Sequence, residues 1–558
     1  MAGSSSLRLS TVARKDLGAF YTPSTMTDFA AAWALRSASD TALDPGCGDA
    51  AFLVSAGARL KKLGVRSIGE HLYGVDINPD AVATATELLA QIGIGQPRIV
   101  AGNFFSIGAP GGLFSDKLPR VNALVGNPPY VRYQLFREEN RAMGLRAAAH
   151  AGVMLPKLSS SWAPYLIHAT SFLREGGRMA MVLPGELLHV GYAAAVRTFL
   201  LQNFTDLTVI SFEDKVFPGA LEEVVVLLGT KGPGDGRLRV RRLRNLADLE
   251  GDPETVLAKA TVCKVQPGQR WIAALFEGDA IAQAMDIVAK VRFRPLGDYG
   301  RVDIGVVTGA NDFFLVSKED AAKHRLPFDV LLPAISKASH IKGARFTNPD
   351  WHLICDDNDP CYLFLADKHS AVGPVLRYIE DGERQGLPER YKCRVREPWY
   401  RVPYVRKPDL FLTYMSHISP RLAVNVAGAT HSNTVHGVFL SDPLLAEPLA
   451  AAFLNSASLL SAEIESRSYG GGVLKTEPGE AVRFLVPRLT PRLNRKLLDE
   501  LPKIDSLLRI NQLDEASVRV DRIIFSKNLS VAEIESVRSI LSALRSRRLM
   551  RGKTAKAN

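Results

Sequence analysis

Residues 127–130, Asn-Pro-Pro-Tyr, stand directly after an apolar run from Val121 to Val125 that Gly126 closes. A run of that kind reads as a buried strand, and paired prolines end it because neither can donate to a ladder. The residue types suit one kind of chemistry. The prolines fix φ, so the Asn127 amide oxygen and the Pro128 carbonyl stand stiffly side by side. Two acceptors so placed can take both hydrogens of one –NH2 group. The lone pair of an exocyclic amine is delocalised into its ring. Accepting from both hydrogens draws the nitrogen toward a tetrahedral, nucleophilic geometry, able to attack a methyl sulfonium. Tyr130 offers a face on which a planar base can stack. Such a site needs neither a covalent nucleophile nor a metal, because its rate comes from in-line positioning and electrostatics. A proline-rich turn with a buried tyrosine is the plainer reading and ranks below it.

A second constellation lies upstream. ALDPGCGDAAF, residues 42–52, follows a short apolar run and opens a helical pattern, with Gly46, Gly48 and Ala51 in G-x-G-x-x-A spacing. Glycines there permit a tight turn and close approach of a ligand to the backbone. Asp76 ends the next strand-like run, where a carboxylate can chelate two ribose hydroxyls. Together they indicate a nucleoside-containing cofactor, NAD or S-adenosylmethionine. A pyrophosphate asks for bare N–H groups at a helix N-terminus. Adenosylmethionine carries an ammonium and a sulfonium instead, so Asp44-Pro45 before the glycines, with Asp49 beside them, favours it.

These groups need a frame. Strand-like runs occur at 41–44, 71–76, 97–102, 121–126, 178–184, 207–212 and 224–229, with helical stretches between them, such as Pro79 to Ile92 and Trp162 to Arg174. That alternation predicts a doubly wound α/β sheet. In open sheets of this kind ligands bind outside the carboxyl ends of the strands. Asn127 and the Pro128 carbonyl are therefore expected to face the same crevice as Gly46 and Asp76. GTKGPGDGRL, residues 229–238, is a linker or turn by its Gly/Pro content. The region after it is mixed, and from about 490 the pattern is helical.

The 558 residues are too many for one core, so two or three domains are expected. The division expected is a flexible tail over 1–14, a cofactor-binding domain over 15–232, a mixed α+β domain over 235–490, and a helical part over 491–558 with a frayed basic tail. Five cysteines do not make a disulfide framework. Cys355, Cys361 and Cys393 lack zinc-ligand spacing, so free thiols and no metal are expected. No apolar run is long enough to span a bilayer and the N-terminus has no signal-like h-region, so the expected location is cytoplasmic. The net charge is +11 and uneven. Residues 1–230 hold 20 Lys/Arg and 19 Asp/Glu, which leaves 49 and 39 beyond, a net of +10. Such asymmetry favours an acidic partner, most simply nucleic acid.

NPPY at 127–130 resembles the catalytic motif of adenine-N6 and related amino-methyltransferases, and DPGCGDAAF resembles their cofactor loop. LGAFYTP, residues 17–23, resembles the N-terminal cofactor motif that precedes that loop in one circular order. The combined order resembles the gamma group of DNA adenine methyltransferases of restriction-modification systems. FEDKVFPGALEEVVVLLG, 212–229, looks like the later motif whose phenylalanine stacks on the extruded base, here Phe217. GVVTGANDFF (305–314), HSNTVHG (431–437), FLNS (453–456) and YGGGVLKTEP (469–478) resemble pieces of the target-recognition region. The resemblance implies that Phe20, Tyr21, Thr22 and Pro23 form the motif at the methionine end of adenosylmethionine. It implies that Asp44, Pro45, Gly46 and Gly48 line the cofactor loop, and that Asp76 and Ile77 hold ribose and adenine. Asn103 and Phe104 would flank the cofactor adenine, although GNFF stands where the family usually has an acid-aromatic pair. Asn127, Pro128, Pro129, Tyr130 and Phe217 would serve the target base. The partner implied is duplex DNA, with loops 305–314 and 467–476 nearest it and Arg467 and Lys475 as candidate contacts.

A dehydrogenase would share the glycine loop but gives NPPY no role. Methyltransferases of RNA or of glutamine side chains also use NPPY, but more than 300 further residues with a +10 balance suit duplex DNA better. Cytosine-N4 is the other amine in DNA; its motif usually begins with Ser. No P-D…(D/E)-x-K cluster occurs in a plausible order, so any cognate endonuclease is expected to be a separate protein. A monomer would suffice.

Overall fold

A computed structural model of the chain describes residues 22–111, 117–131, 133, 135–214, 216–217, 224–275, 280–403, 405–469 and 472–554. The chain divides into two compact units, 1–280 and 281–553, with 554–558 grouped with the first.

The first unit is built on a nine-stranded sheet. Its strands are β1 (Ala42–Asp44), β2 (Leu72–Asp76), β3 (Arg98–Ala101), β4 (Val121–Gly126), β5 (Leu173–Pro184), β6 (Phe204–Phe212), β7 (Val224–Lys231), β8 (Arg237–Leu243) and β9 (Thr261–Lys264). Their order is β3-β2-β1-β4-β5-β7-β6-β8-β9. The strands from β3 to β5 pair in parallel, while β7 lies antiparallel between β5 and β6. The chain runs outward from β1 to β3, then returns to place β4 on the other side of β1. That reversal is a topological switch point, and the crevice it makes lies beyond the carboxyl ends of β1 and β4.

The helices of this unit include α1 (Ser24–Ala34), α2 (Ala51–Lys62), α3 (Pro79–Gln91), α4 (Glu138–His150), α5 (Trp162–Thr170) and α6 (Ala194–Asn203). Asn78 caps α3 by accepting from the Asp80 N–H at 3.0 Å, and Pro79 opens the helix, where its missing donor costs nothing. Two hydrophobic clusters form on the sheet because successive side chains of a strand point to opposite faces. Met179, Met181 and Leu183 of β5 join α5 in one cluster. Ala180 and Val182 join α1 and α2 in the other. Strands buried on both faces have no polar alternation, which is why they show as unbroken apolar runs. All nine residues of α5 are buried.

Three expectations about boundaries need correction. The break expected between 232 and 235 is a turn inside the first unit. In β8, Leu238 and Val240 are buried in one cluster and Leu243 in the other, while Arg237 and Arg239 are exposed, and the strand pairs in parallel with β6. β9 adds to β8, and the unit continues to 280. With 554–558 counted in it, the first unit holds 30 Lys/Arg and 26 Asp/Glu, leaving 39 and 32, so a net of +7 still falls in the second. Second, the helix expected from Trp162 to Arg174 ends at Thr170, since Leu173 already begins β5.

The third correction concerns the C-terminal helices, α7 (Pro491–Arg509), α8 (Leu513–Phe525) and α9 (Val531–Thr554), which belong to the second unit. That unit contains a five-stranded sheet, of which Gly300–Ile304, Val435–Leu440 and Leu410–Thr413 are consecutive strands, and smaller sheets beside it. Arg509 of α7 bonds Asp350 through Nη2 at 3.0 Å and Asp505 through Nε at 2.7 Å. The basic tail expected to fray continues as helix to Thr554. Within it, Arg548 is buried and meets Glu463 at 2.6 Å, the His417 carbonyl at 2.7 Å and the Ile418 carbonyl at 3.0 Å. Arg548→Ala leaves the Glu463 carboxylate buried without its cation, so we expect a loss of about 3–5 kcal/mol. Urea unfolding checks this, and an unchanged midpoint would remove the tail from the fold.

Candidate active site

The switch point gathers the residues expected to act together. Asp44 ends β1 and is 1% exposed. Burial pushes its carboxyl from 3.8 up to about 8, against the pull of the Gly46 N–H, with Asp76 and Asp49 adding to the rise. That N–H reaches Asp44 Oδ1 at 3.1 Å. Two glycines make the closeness possible. A Cβ on Gly46 would stand 2.9 Å from the Tyr165 hydroxyl, and one on Gly126 would stand 2.7 Å from Asp44 Oδ1. The ends of β1 and β4 thus touch without side chains between them.

Asp76 at the end of β2 accepts the Gly48 N–H at 3.0 Å on one oxygen and the Asn78 N–H at 2.8 Å on the other. Each carboxylate oxygen keeps capacity for a further donor. Ile77, the next residue, is 57% exposed. A bare aliphatic side chain beside an anchored carboxylate fits the adenosine end of a nucleoside cofactor.

From the N-terminal motif, Thr22 is buried, and its Oγ1 accepts from Asn127 Nδ2 at 3.1 Å. The Pro23 carbonyl accepts the N–H groups of Met26 and Thr27 at the start of α1. Two motifs 105 positions apart are therefore in contact. Phe20 and Tyr21 lie outside the described residues.

Asn127 Oδ1 is buried and has no hydrogen-bond partner among the described residues. A buried acceptor left unmet costs about 1–3 kcal/mol, and a donor from a ligand would relieve that cost. Pro128 beside it is buried. The Pro129 carbonyl accepts from Ser161 Oγ, which in turn accepts the Val131 N–H at 2.8 Å. Tyr130 is half-buried, packs against both hydrophobic clusters, and donates its hydroxyl to the Val182 carbonyl at 3.0 Å.

Other expected residues are placed differently. Asn103 Oδ1 caps a short 3-10 turn by accepting the Phe105 N–H at 3.1 Å, while its Nδ2 donates to Asn140 at 2.9 Å. Phe104, expected beside the cofactor adenine, is 3% exposed and packs among Tyr165, His168 and Phe172 with ring centroids 5.1, 4.7 and 5.3 Å away. It is a core residue here. Phe217, expected to stack on a base, is likewise buried, in the cluster that holds Phe212, Val216 and Val224. Arg467 bonds the buried Glu480 at 2.6 Å, and Lys475 bonds Glu477 at 2.9 Å with the Tyr414 ring 5.2 Å away. These pairs set both cations against carboxylates of the same unit. In loop 305–314, Phe313 and Phe314 are core, while Val307, Gly309, Asn311 and Asp312 are exposed. Arg396 steadies that loop through the Val307 and Thr308 carbonyls, each at 2.7 Å.

The sequence reading passed over Ser161, Trp162 and Tyr165 at the start of α5, and Glu186 and Tyr192 after β5. Their one local signal is the run SSSW ahead of a wholly apolar helix. The partners of Ser161, Trp162 and Tyr165 in the neighbouring loops are 24 to 120 positions away.

Comparison with known proteins adds the following. Residues 7–243 match the family model described as N-6 DNA Methylase, and residues 268–525 match the one described as Type II methyltransferase M.Eco57I, C-terminal domain. The chain is similar to Type II methyltransferase M.XamI of Xanthomonas campestris pv. amaranthicola, 25% identical over 85% of each chain. It is also similar to Type II methyltransferase M.AccI of Acinetobacter calcoaceticus, 21% identical over 74% of this chain and 78% of that one. In fold it is similar to the Type IIL restriction-modification enzyme MmeI, solved in complex with DNA, with a TM-score of 0.62 at 13% identity over 97% of this chain and 80% of that one. The DrdV–DNA complex gives a TM-score of 0.52 at 13% identity over 89% of this chain and 58% of that one.

Proposed function

We propose that this chain, whose residues 7–243 match the N-6 DNA Methylase family and whose residues 268–525 match the C-terminal domain of a Type II methyltransferase, methylates the N6 amino group of an adenine flipped out of duplex DNA. The methyl donor is S-adenosylmethionine, whose sulfonium supplies an electrophilic methyl carbon. The observation that carries this reading is Asn127 Oδ1, buried at the switch point with no hydrogen-bond partner among the described residues. The Asn127 oxygen and the Pro128 carbonyl accept the two amino hydrogens. The nitrogen attacks the methyl carbon as the carbon–sulfur bond breaks, and the surplus proton leaves to water. Asp44 and Thr22 face the methionine end, and Asp76 and Ile77 face the adenosine end.

An enzyme that acts on a base must take it out of the stack. Tyr130 offers its ring to that base. The hydroxyl bond to Val182 fixes the ring without covering it, so Tyr130→Phe should keep the rate within a few-fold. Tyr130→Ala should weaken holding of the flipped base by roughly 1–3 kcal/mol. Fluorescence of 2-aminopurine at the target position checks both, and an Ala variant equal to wild type would leave the ring a packing role only. Stacking by Phe217 requires its ring to leave the core.

The second unit is assigned sequence choice and most of the DNA affinity, supported by its net charge of +7. Phosphate contacts release counterions, so binding should weaken steeply with salt. A cytoplasmic enzyme acting on chromosomal DNA fits this reading, and among the described residues no single helix is long and apolar enough to cross a membrane. The test is incubation of the protein with unmethylated DNA and labelled adenosylmethionine, followed by nucleoside analysis. N6-methyladenine is expected. Label in cytosine, or in no base, would overturn the assignment.

A further inference from the structure

The start of α5 is bonded to three loops of the site. Ser161 holds the NPPY loop, donating Oγ–H to the Pro129 carbonyl, accepting the Val131 N–H at 2.8 Å, and donating its own N–H to the Val131 carbonyl at 3.0 Å. Trp162 reaches the loop after β5, donating Nε1–H to Glu186 at 3.1 Å and to the Tyr192 hydroxyl at 2.8 Å. Tyr165, one turn on, donates its hydroxyl to the Pro45 carbonyl in the cofactor loop. The helix itself is buried throughout, so these grips stand on a rigid base.

We propose that Ser161 is the positioning residue of the catalytic loop, setting the direction of the Pro128 carbonyl and of the Tyr130 ring against a cofactor loop fixed through the same helix. The proposal rests on the amino-methyltransferase reading above. The loop itself explains why a hydroxyl is needed. Pro128 and Pro129 have no N–H, so the main chain cannot anchor those two residues by donation. What remains is the Pro129 carbonyl and the Val131 N–H, an acceptor and a donor on either side of Tyr130. A hydroxyl is the smallest side-chain group that both donates and accepts. Ser161 is 2% exposed, so water does not replace it. Without it, the peptide groups flanking Tyr130 are free to turn. The two acceptors for the amine then lose their register, while the contacts of Asp44, Asp76 and Tyr165 in the cofactor loop remain.

The experiment is single-turnover transfer of labelled methyl from adenosylmethionine into unmethylated phage DNA by the full chain. Cofactor affinity by calorimetry and thermal unfolding are measured on the same samples. Ser161→Ala should lower the rate constant roughly 10- to 100-fold, as misplacement of reacting groups by about 1 Å does, with cofactor affinity held within about threefold. Ser161→Thr, which keeps the hydroxyl, should recover most of the rate. Should the Ala variant not fold, Ser161→Cys carries the test, since it matches the volume and weakens both hydrogen bonds. A rate within about twofold of wild type, or a cofactor affinity that falls as far as the rate, would overturn the proposal. A wild-type chain that transfers no methyl group would overturn the functional reading, and this proposal with it.

Discussion

Asn127→Ala should reduce methyl transfer by roughly 10³-fold, the upper range for removing one preorganised hydrogen-bonding group from a reacting centre. Binding should survive. The side chain loses one bond, from Nδ2 to Thr22, and the fold is relieved of a buried acceptor that has no partner among the described residues. Unfolding temperature is therefore expected to hold or rise while turnover collapses. That combination separates a catalytic group from a structural one, because a structural asparagine would lose stability first. Asn127→Asp keeps an acceptor oxygen but gives up the donor to Thr22, so it should retain part of the rate. Cofactor titration, DNA binding and single-turnover transfer on one preparation decide the matter. A rate near wild type for the Ala variant would mean that another group holds the amine.

The second large effect is expected at Asp44, and it depends on pH. Burial raises this carboxyl to about 8 in the folded protein, against 3.8 ordinarily. A carboxyl raised in the folded state favours folding fully below its unfolded pKa, and that contribution drains away as pH rises through the folded value. Between about pH 4 and 8 the ionised form is therefore available mainly to the unfolded chain, a cost of at most about 6 kcal/mol. Asp44→Asn removes the titration. The unfolding temperature of the variant without cofactor should exceed that of wild type at pH 8, and the gap should close toward pH 4. Affinity for adenosylmethionine should move the other way. Loss of a charge-assisted hydrogen bond to a cation costs about 1.5–3 kcal/mol, roughly a 10- to 100-fold rise in Kd. Thermal unfolding at two pH values and calorimetry read both effects. Unchanged affinity would remove Asp44 from the cofactor site.

What could be read from the chain follows the range of the interactions. The strands of the parallel core were legible because burial on both faces leaves unbroken apolar runs, as at Val121 to Val125. The cofactor loop and NPPY were legible because each is a short motif whose chemistry is set by neighbours in sequence. The break near 232 was misplaced because Gly and Pro mark a turn and a linker alike. Only the pairing of β8 with β6 tells them apart, and that is a tertiary fact. Phe104 was assigned to a ligand and packs in the core, since an aromatic letter does not say which way its ring points. Arg467 and Lys475 looked like open cations until Glu480 and Glu477 were seen beside them. Ser161 was overlooked because its partners, Pro129 and Val131, are about thirty positions away.

The central claim is that the Asn127 oxygen and the Pro128 carbonyl hold an adenine amine for methylation. Long-read sequencing tests it most directly, on DNA from a methylation-free host expressing either the wild-type chain or Asn127→Ala. The account predicts N6-methyladenine at one sequence context with the wild-type chain and its disappearance with the variant. Absence of adenine methylation in the wild-type sample, or undiminished methylation with the variant, would contradict it.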